Sequence, residues 1–193
     1  MKKLTALMAG LAFLVLLSGC GTSVGSSSSA FSFYAPAFSF DSGGNYTGFS
    51  GLPASCTQEA AKKDGCVVMR DSKFAANGKG WMDFVKASSS GKNAAVRIAK
   101  FYTEEKEGPF FLDVFHRDGS YYLFDSSAKT FEKHPFKHLL TLSGKDGIPK
   151  RDCKAIVLTD DEKLTFDEVR KSFLSSDTRV TDQISPFKLI MLR

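Results

Sequence analysis

Cysteine and histidine, the residue types that most often serve as nucleophiles, bases and ligands of transition metals, are few: the chain has four cysteines and three histidines. His134 and His138 lie four positions apart, which on a helix places two metal ligands on one face. Pro135 lies between them, however, and no Asp or Glu stands where an HExxH-type site needs one. His116 ends a run of alternating apolar residues and has no evident partner. We therefore predict no metal site and no cofactor.

A catalytic nucleophile is equally hard to find. The sequence has no GxSxG motif, and residues 143–147, SGKDG, lack the GxxxxGK[ST] spacing of a phosphate loop. The acidic pairs at 104–105 and 160–161 are typical of solvated turns. We predict a protein that is not an enzyme. The alternative is an envelope hydrolase or transferase with a dispersed active site, which a cleft gathering His134, His138 and a carboxylate would favour.

The N-terminus has the layout of a secretory signal peptide. Lys2 and Lys3 form a basic region, and residues 4–17 form an uncharged apolar segment. With about 14 residues, this segment is shorter than the roughly 20 that a helix needs to cross a bilayer. A cleaved signal is therefore favoured over a permanent membrane span.

The residues that end this segment, Leu17-Ser18-Gly19-Cys20, resemble the lipobox of bacterial lipoproteins. The resemblance implies cleavage of residues 1–19 as a signal peptide and acylation of the Cys20 thiol. The mature protein is then expected at the cell membrane, anchored in the lipid bilayer through acylated Cys20 and facing outside the cytoplasm. Several acyl chains on one residue give stable anchoring, since each buried methylene contributes about 0.8 kcal/mol.

Removal of residues 1–19 changes the composition. It leaves 174 of the 193 residues and takes away two lysines, so the formal net charge falls from +5 to +3. That length suffices for one domain with its own core. No basic cluster interleaved with aromatic residues occurs, and we expect no nucleic acid among the partners.

Three cysteines remain if Cys20 is acylated, and outside the cytoplasm disulfides persist. Cys56 and Cys66 are the candidate disulfide, because they are close in sequence. A bridge between Cys66 and Cys153 is the alternative. Zinc binding is disfavoured, since no CxxC spacing occurs.

Residues 20–55 are rich in Ser, Gly and Phe and nearly without charge, which predicts a flexible tether. Within it, FSFYAPAFSF at 31–40 is either an aromatic patch for a lipid or cell-wall surface or a part of the tether whose aromatic rings pack locally or on the domain. We expect residues 56–193 to form a single globular domain.

Hydrophobic periodicity predicts the elements of this domain. Asp118-Gly119 between two alternating runs predicts a hairpin, and Thr165 with Glu168 forms a capping box. In the strand near residues 93–105, Val96 and Ile98 are expected to be buried and Arg97 solvated. The predicted strands are 67–69, 93–105, 110–117, 120–127, 153–160 and 185–193, and the predicted helices are 79–89, a short one after Pro135, and 166–176.

These elements predict an α+β fold, with an antiparallel or mixed sheet of about five strands and two or three helices packed on one face. Residues 67–154 also resemble a family of small lipoproteins from Bacillus-type bacteria whose domain has no known function. The likeness lies in the order of VV, ASSSGK, VRIAKFYTEE, Gly-Pro, LDV, the Asp-Gly turn with its Tyr-rich return strand, and Cys153-Lys154. It implies the fold and no function. We therefore expect a non-catalytic binding or inhibitory domain with an unknown envelope or extracellular partner.

Overall fold

The structure is a computed structural model that describes residues 35–53, 55–104, 108–131 and 133–193. The predicted signal peptide and Cys20 lie outside the described residues. In chain order the described elements are α1 (Gln58–Lys63), β1 (Val67–Arg70), β2 (Lys73–Ala76), α2 (Gly78–Ser89), β3 (Ala94–Phe101), β4 (Phe110–Arg117), β5 (Ser120–Asp125), β6 (His138–Asp146), β7 (Arg151–Thr159), α3 (Phe166–Leu174), α4 (Thr178–Thr181) and β8 (Phe187–Leu192).

The first sheet is mixed and has the order β2-β1-β3-β4-β5. β1 and β3 are parallel, and the other neighbouring strands are antiparallel. The β4–β5 hairpin turns at Asp118 and Gly119, both with positive φ, as a two-residue turn of type I′ requires. The α+β prediction with a mixed five-stranded sheet is confirmed.

The second sheet, β6-β7-β8, is antiparallel and was not predicted as a separate sheet. Its inner face packs against the first sheet. Val67, Ile98 and Val114 on one side meet Ile156 and Ile190 on the other in one buried cluster. These side chains form the main core between the two sheets.

The short helix predicted after Pro135 is wrong, because residues 138–146 form strand β6. Leu140 and Leu142 alternate along this strand and pack on α3 with Phe166. Such a period of two suits a strand. Gly144 continues the same face, and the Phe166 ring occupies the space that a side chain there would need.

Helix α2 lies on the inner face of the first sheet, where Trp81 and Phe84 are buried as expected. Helix α3 begins at the predicted capping box, in which Thr165 and Glu168 each bond the other's backbone N–H. It packs on the outer face of the second sheet. Three elements, α1, β2 and α4, were not predicted from the sequence.

The flexible tether expected at residues 20–55 is wrong for residues 38–52, which pack on the folded domain. Phe38, Phe40 and Tyr46 pack on Phe115 and Phe124, on the outer face of the first sheet. Burial of these rings outweighs the Ser- and Gly-rich composition that suggested flexibility. The folded domain therefore begins well before residue 56.

Candidate functional site

The most deeply buried ionic group lies on the outer face of the first sheet. Arg97 of β3 and Asp113 of β4 are direct cross-strand partners. The Arg97 guanidinium donates from Nε to Asp113 Oδ1 at 2.6 Å and from Nη2 to Oδ2 at 2.5 Å. The two residues are 2% and 0% exposed, respectively. This pair is bidentate, the stronger form of a charge-assisted hydrogen bond.

Two further hydrogen bonds tie the pair to the N-terminal segment. The Tyr46 hydroxyl donates to Asp113 Oδ2 at 2.7 Å, and Arg97 Nη2 donates to the Gly48 carbonyl at 2.6 Å. Burial raises the pKa of Tyr46 above its ordinary value, and the neighbouring Asp113 charge adds to this effect. Tyr46 is therefore a neutral donor. The network fastens residues 46–48 to the sheet and is covered by them, so its geometry suits a structural role.

The prediction that Arg97 faces solvent is wrong. The alternation along β3 correctly placed Arg97 on the opposite face of the sheet from Val96 and Ile98. Residues 38–52 cover that face, so Arg97 does not contact solvent there. A buried arginine opposite a buried aspartate was therefore not recognisable from β3 alone. The signal in the sequence was Asp113, a charged residue within the apolar strand FFLDVFHR.

Two of the three histidines lie near carboxylates at one corner of the second sheet. His134 Nε2 is 3.9 Å from Asp160 Oδ2. His138 begins β6, and the nearby Asp161 carboxylate accepts a hydrogen bond from the Ser185 hydroxyl, which is the main cause of its lowered pKa. No helix joins the two histidines. Among the residues that the structure describes, no group of three or more side chains is placed to bind a metal ion.

His116 has a partner that the sequence did not reveal. It is 4% exposed, and its Nδ1 donates to the Lys92 carbonyl at 2.7 Å. This contact joins the end of β4 to the loop before β3. It gives the side chain a structural role.

The three described cysteines are free thiols. Cys66 is buried in an apolar cluster on the outer face of the first sheet, and Cys56 packs against the same cluster. Burial raises the pKa of Cys66 to about 11. Cys153 packs in a different cluster, between the second sheet and α3. The arrangement brings the candidate pair Cys56 and Cys66 into one neighbourhood and leaves Cys153 in another.

A groove lies beside β8, which is an edge strand of the second sheet. Its larger part is a cavity of about 430 Å³, lined among others by Phe131, His134 and Phe187. Its smaller part, of about 100 Å³, is lined by the ends of β1 and β3 and by Met191. Leu189 lines both parts, so we treat them as one feature, the β8 groove.

Lys100 contributes a cation to the smaller part of the β8 groove. Its side chain is half-buried, and burial lowers its pKa, while the Asp125 carboxylate acts in the opposite direction. Within the described ranges no carboxylate lies within ion-pair distance of its amine. Asp125 lines the larger part, so the electrostatic effect of Asp125 on Lys100 links the two parts.

The chain matches no protein-family model, no curated protein and no solved structure. Within the described part of the chain, no helix is both long enough and apolar enough to cross a membrane.

Proposed function

We propose that this chain is a cell-envelope lipoprotein, held to the membrane through acylated Cys20, whose folded domain binds or inhibits a partner and is not catalytic. The observation that carries the binding role is the β8 groove. It combines an edge strand, a cavity of about 430 Å³ and mostly apolar walls that also carry the polar side chains of Asp125, His134 and Lys188. Protein sites for ligands usually have this character.

The lipobox-like residues 17–20 support the anchor. Its test is the Cys20→Ala variant, expressed in the cell envelope and labelled with an alkyne fatty acid. We expect loss of the label and release of the protein from the membrane fraction. Cys153→Ala is the matched control and should keep both. Unchanged labelling of Cys20→Ala would refute the anchor.

The binding role is tested by site-specific photo-crosslinking in intact cells. A photoreactive residue replaces Lys188, which lines the groove and is exposed, or Lys86, which is exposed on α2. We expect one discrete adduct from position 188 and none of that size from position 86. The same adducts from both positions, or none from 188, would contradict a binding role for the groove.

A second candidate, an envelope hydrolase or transferase, is favoured by one observation. His134 lines the larger cavity, and its Nε2 lies 3.9 Å from the Asp160 carboxylate, so a small side-chain movement would let the two form the hydrogen bond that orients a general base. Turnover of ester or amide substrates by the wild type that both His134→Ala and Asp160→Asn abolish would establish it. Turnover unaffected by either change would exclude this site.

A further inference from the structure

We propose that the β8 groove binds an extended peptide segment as an added β-strand, with the Lys100 amine paired to an Asp or Glu side chain of that segment. This inference rests on the proposed binding function and specifies its ligand. Three observations carry it: the free strand edge, the walls of the groove and the position of Lys100.

The free edge of β8 supplies backbone hydrogen-bonding groups. Arg193 N–H donates to the Lys154 carbonyl at 2.9 Å, and Lys154 N–H donates to the Arg193 carbonyl at 2.5 Å. In an antiparallel pair, both backbone groups of one residue face the same neighbour and those of the next residue face away. The N–H and C=O of Leu192 therefore point to the free edge. An edge of this kind is a template for another strand.

The walls of the groove suit an extended chain. Along β8, one cavity precedes Leu189 and the other follows it, so a bound segment can extend along the strand through both cavities. Phe131 and Phe187 line one part, and Met191 and Leu192 line the other. Alternate side chains of an added strand point to the same side, where such apolar walls can hold them.

Lys100 sets the charge of the occupant. Lys100 lines the smaller cavity, and the Asp125 carboxylate that acts on its amine lines the larger one. A strand that fills both cavities therefore passes close to Lys100. Lys100 is half-buried in the smaller part of the groove, where burial lowers its pKa and the Asp125 carboxylate raises it. A carboxylate that enters the groove likewise favours the charged amine and gains a partly desolvated partner. A carboxylate in the middle of the peptide therefore complements the site.

The test is a selection of random octapeptides displayed on phage, performed against the full mature lipoprotein in detergent. We expect enrichment of peptides with one Asp or Glu among apolar and β-branched residues, and depletion of proline. The best peptide is then synthesised with both ends capped, together with its Gln analogue. Replacing the acid by Gln should weaken binding about tenfold, the usual scale for a hydrogen bond to a charged group.

Three variants locate the contacts. Lys100→Met should weaken the acidic peptide about tenfold and leave the Gln analogue unchanged. Leu192→Pro removes only the N–H that faces the free edge, so it should weaken both peptides, whereas Leu192→Ala keeps that N–H and should bind nearly as the wild type does. Equal thermal unfolding midpoints for the four proteins show that the loss does not come from unfolding.

Several results would overturn the proposal. These are a selection without enrichment of an acid, binding that is lost when the peptide C-terminus is capped, and binding that neither Lys100→Met nor Leu192→Pro changes. If the position-188 crosslink still forms in cells while these variants have no effect, the binding function stands and the strand-addition mode fails. If no crosslink forms from position 188 and the variants also have no effect, the binding function and the strand-addition mode both fail.

Discussion

At the scale of single residues, the decisive group is the Arg97–Asp113 pair with Tyr46. Two charges taken out of water are costly, and here the cost is offset by bidentate geometry and by two neighbouring hydrogen bonds. The group therefore acts through the position it imposes on residues 46–48. Removing one partner therefore lowers the free energy of unfolding far more than removing one partner of an ion pair at the surface.

Asp113→Asn should lower the free energy of unfolding by about 3–5 kcal/mol, because the buried Arg97 loses its carboxylate. The measurement is urea denaturation. Asp83→Asn is the matched control. Its carboxylate is 51% exposed and pairs with Lys79 on the surface of α2, so we expect almost no change. Equal effects of the two substitutions would contradict a stabilising role of the buried pair.

The cysteines give a second prediction at this scale. Cys56 and Cys66 are free thiols in the structure but contact one cluster. With the protein exported as proposed, we expect oxidation to join them in a disulfide. With Cys20 acylated as proposed, thiol titration in denaturant without reductant should then find one thiol, Cys153. Cys56→Ser should raise the count to two. Three thiols in the wild type would show that the bridge is absent.

In the reduced protein, reactivity should follow burial. Cys66 is 4% exposed and its pKa is raised to about 11, so it remains a thiol at pH 8 and should react slowly with iodoacetamide in the native state. As the pH rises towards 11, its rate should rise with the thiolate fraction. A native rate at pH 8 equal to that in denaturant would contradict the buried position.

At the scale of elements, the sequence specified those that local interactions determine. The β4–β5 hairpin follows from Asp118-Gly119, and the start of α3 follows from Thr165 and Glu168. β6 was missed because its leucines alternate over a short run that also fits a helix. Its partner β7, which it pairs along nine residues, decides the conformation.

The contact between β6 and α3 depends on a position without a side chain. A Cβ at Gly144 would lie 2.0 Å from the Phe166 ring. Gly144→Ala should therefore lower the free energy of unfolding by about 1–3 kcal/mol, as overpacking does, and urea denaturation measures this.

The matched control is Gly78→Ala, where the atom nearest to the added Cβ is 3.5 Å away and the residue begins α2. That control should be neutral or more stable by up to about 1 kcal/mol, and a loss as large as that of Gly144→Ala would argue against a specific clash.

At the scale of the whole molecule, the two sheets share one buried core. Ile190 of β8 is 0% exposed and lies in the same cluster as Val67 and Trp81 of the first sheet and α2. The sheets should therefore unfold together. The β8 groove exists because β8 ends the second sheet beside the strand ends of the first.

Ile190→Ala should lower the free energy of unfolding by about 2–5 kcal/mol through the cavity it creates between the sheets. Fluorescence of Trp81, the only tryptophan, reports α2, while circular dichroism reports all elements. The two transitions should coincide and shift together. Met82→Ala, at a side chain that is 62% exposed, should shift neither. If Ile190→Ala leaves the unfolding transition measured by Trp81 fluorescence unchanged, the sheets unfold independently.

The sequence by itself determined the α+β class, the hairpin and the helices α2 and α3, because contacts within a few residues specify these. It also supplied the expected anchor at Cys20. The tertiary structure alone decided that the elements form two sheets, that residues 38–52 cover Arg97, and that β8 borders a groove with Lys100. The physical reason is that periodicity tells which side chains share a face, whereas what covers that face depends on residues distant in the chain.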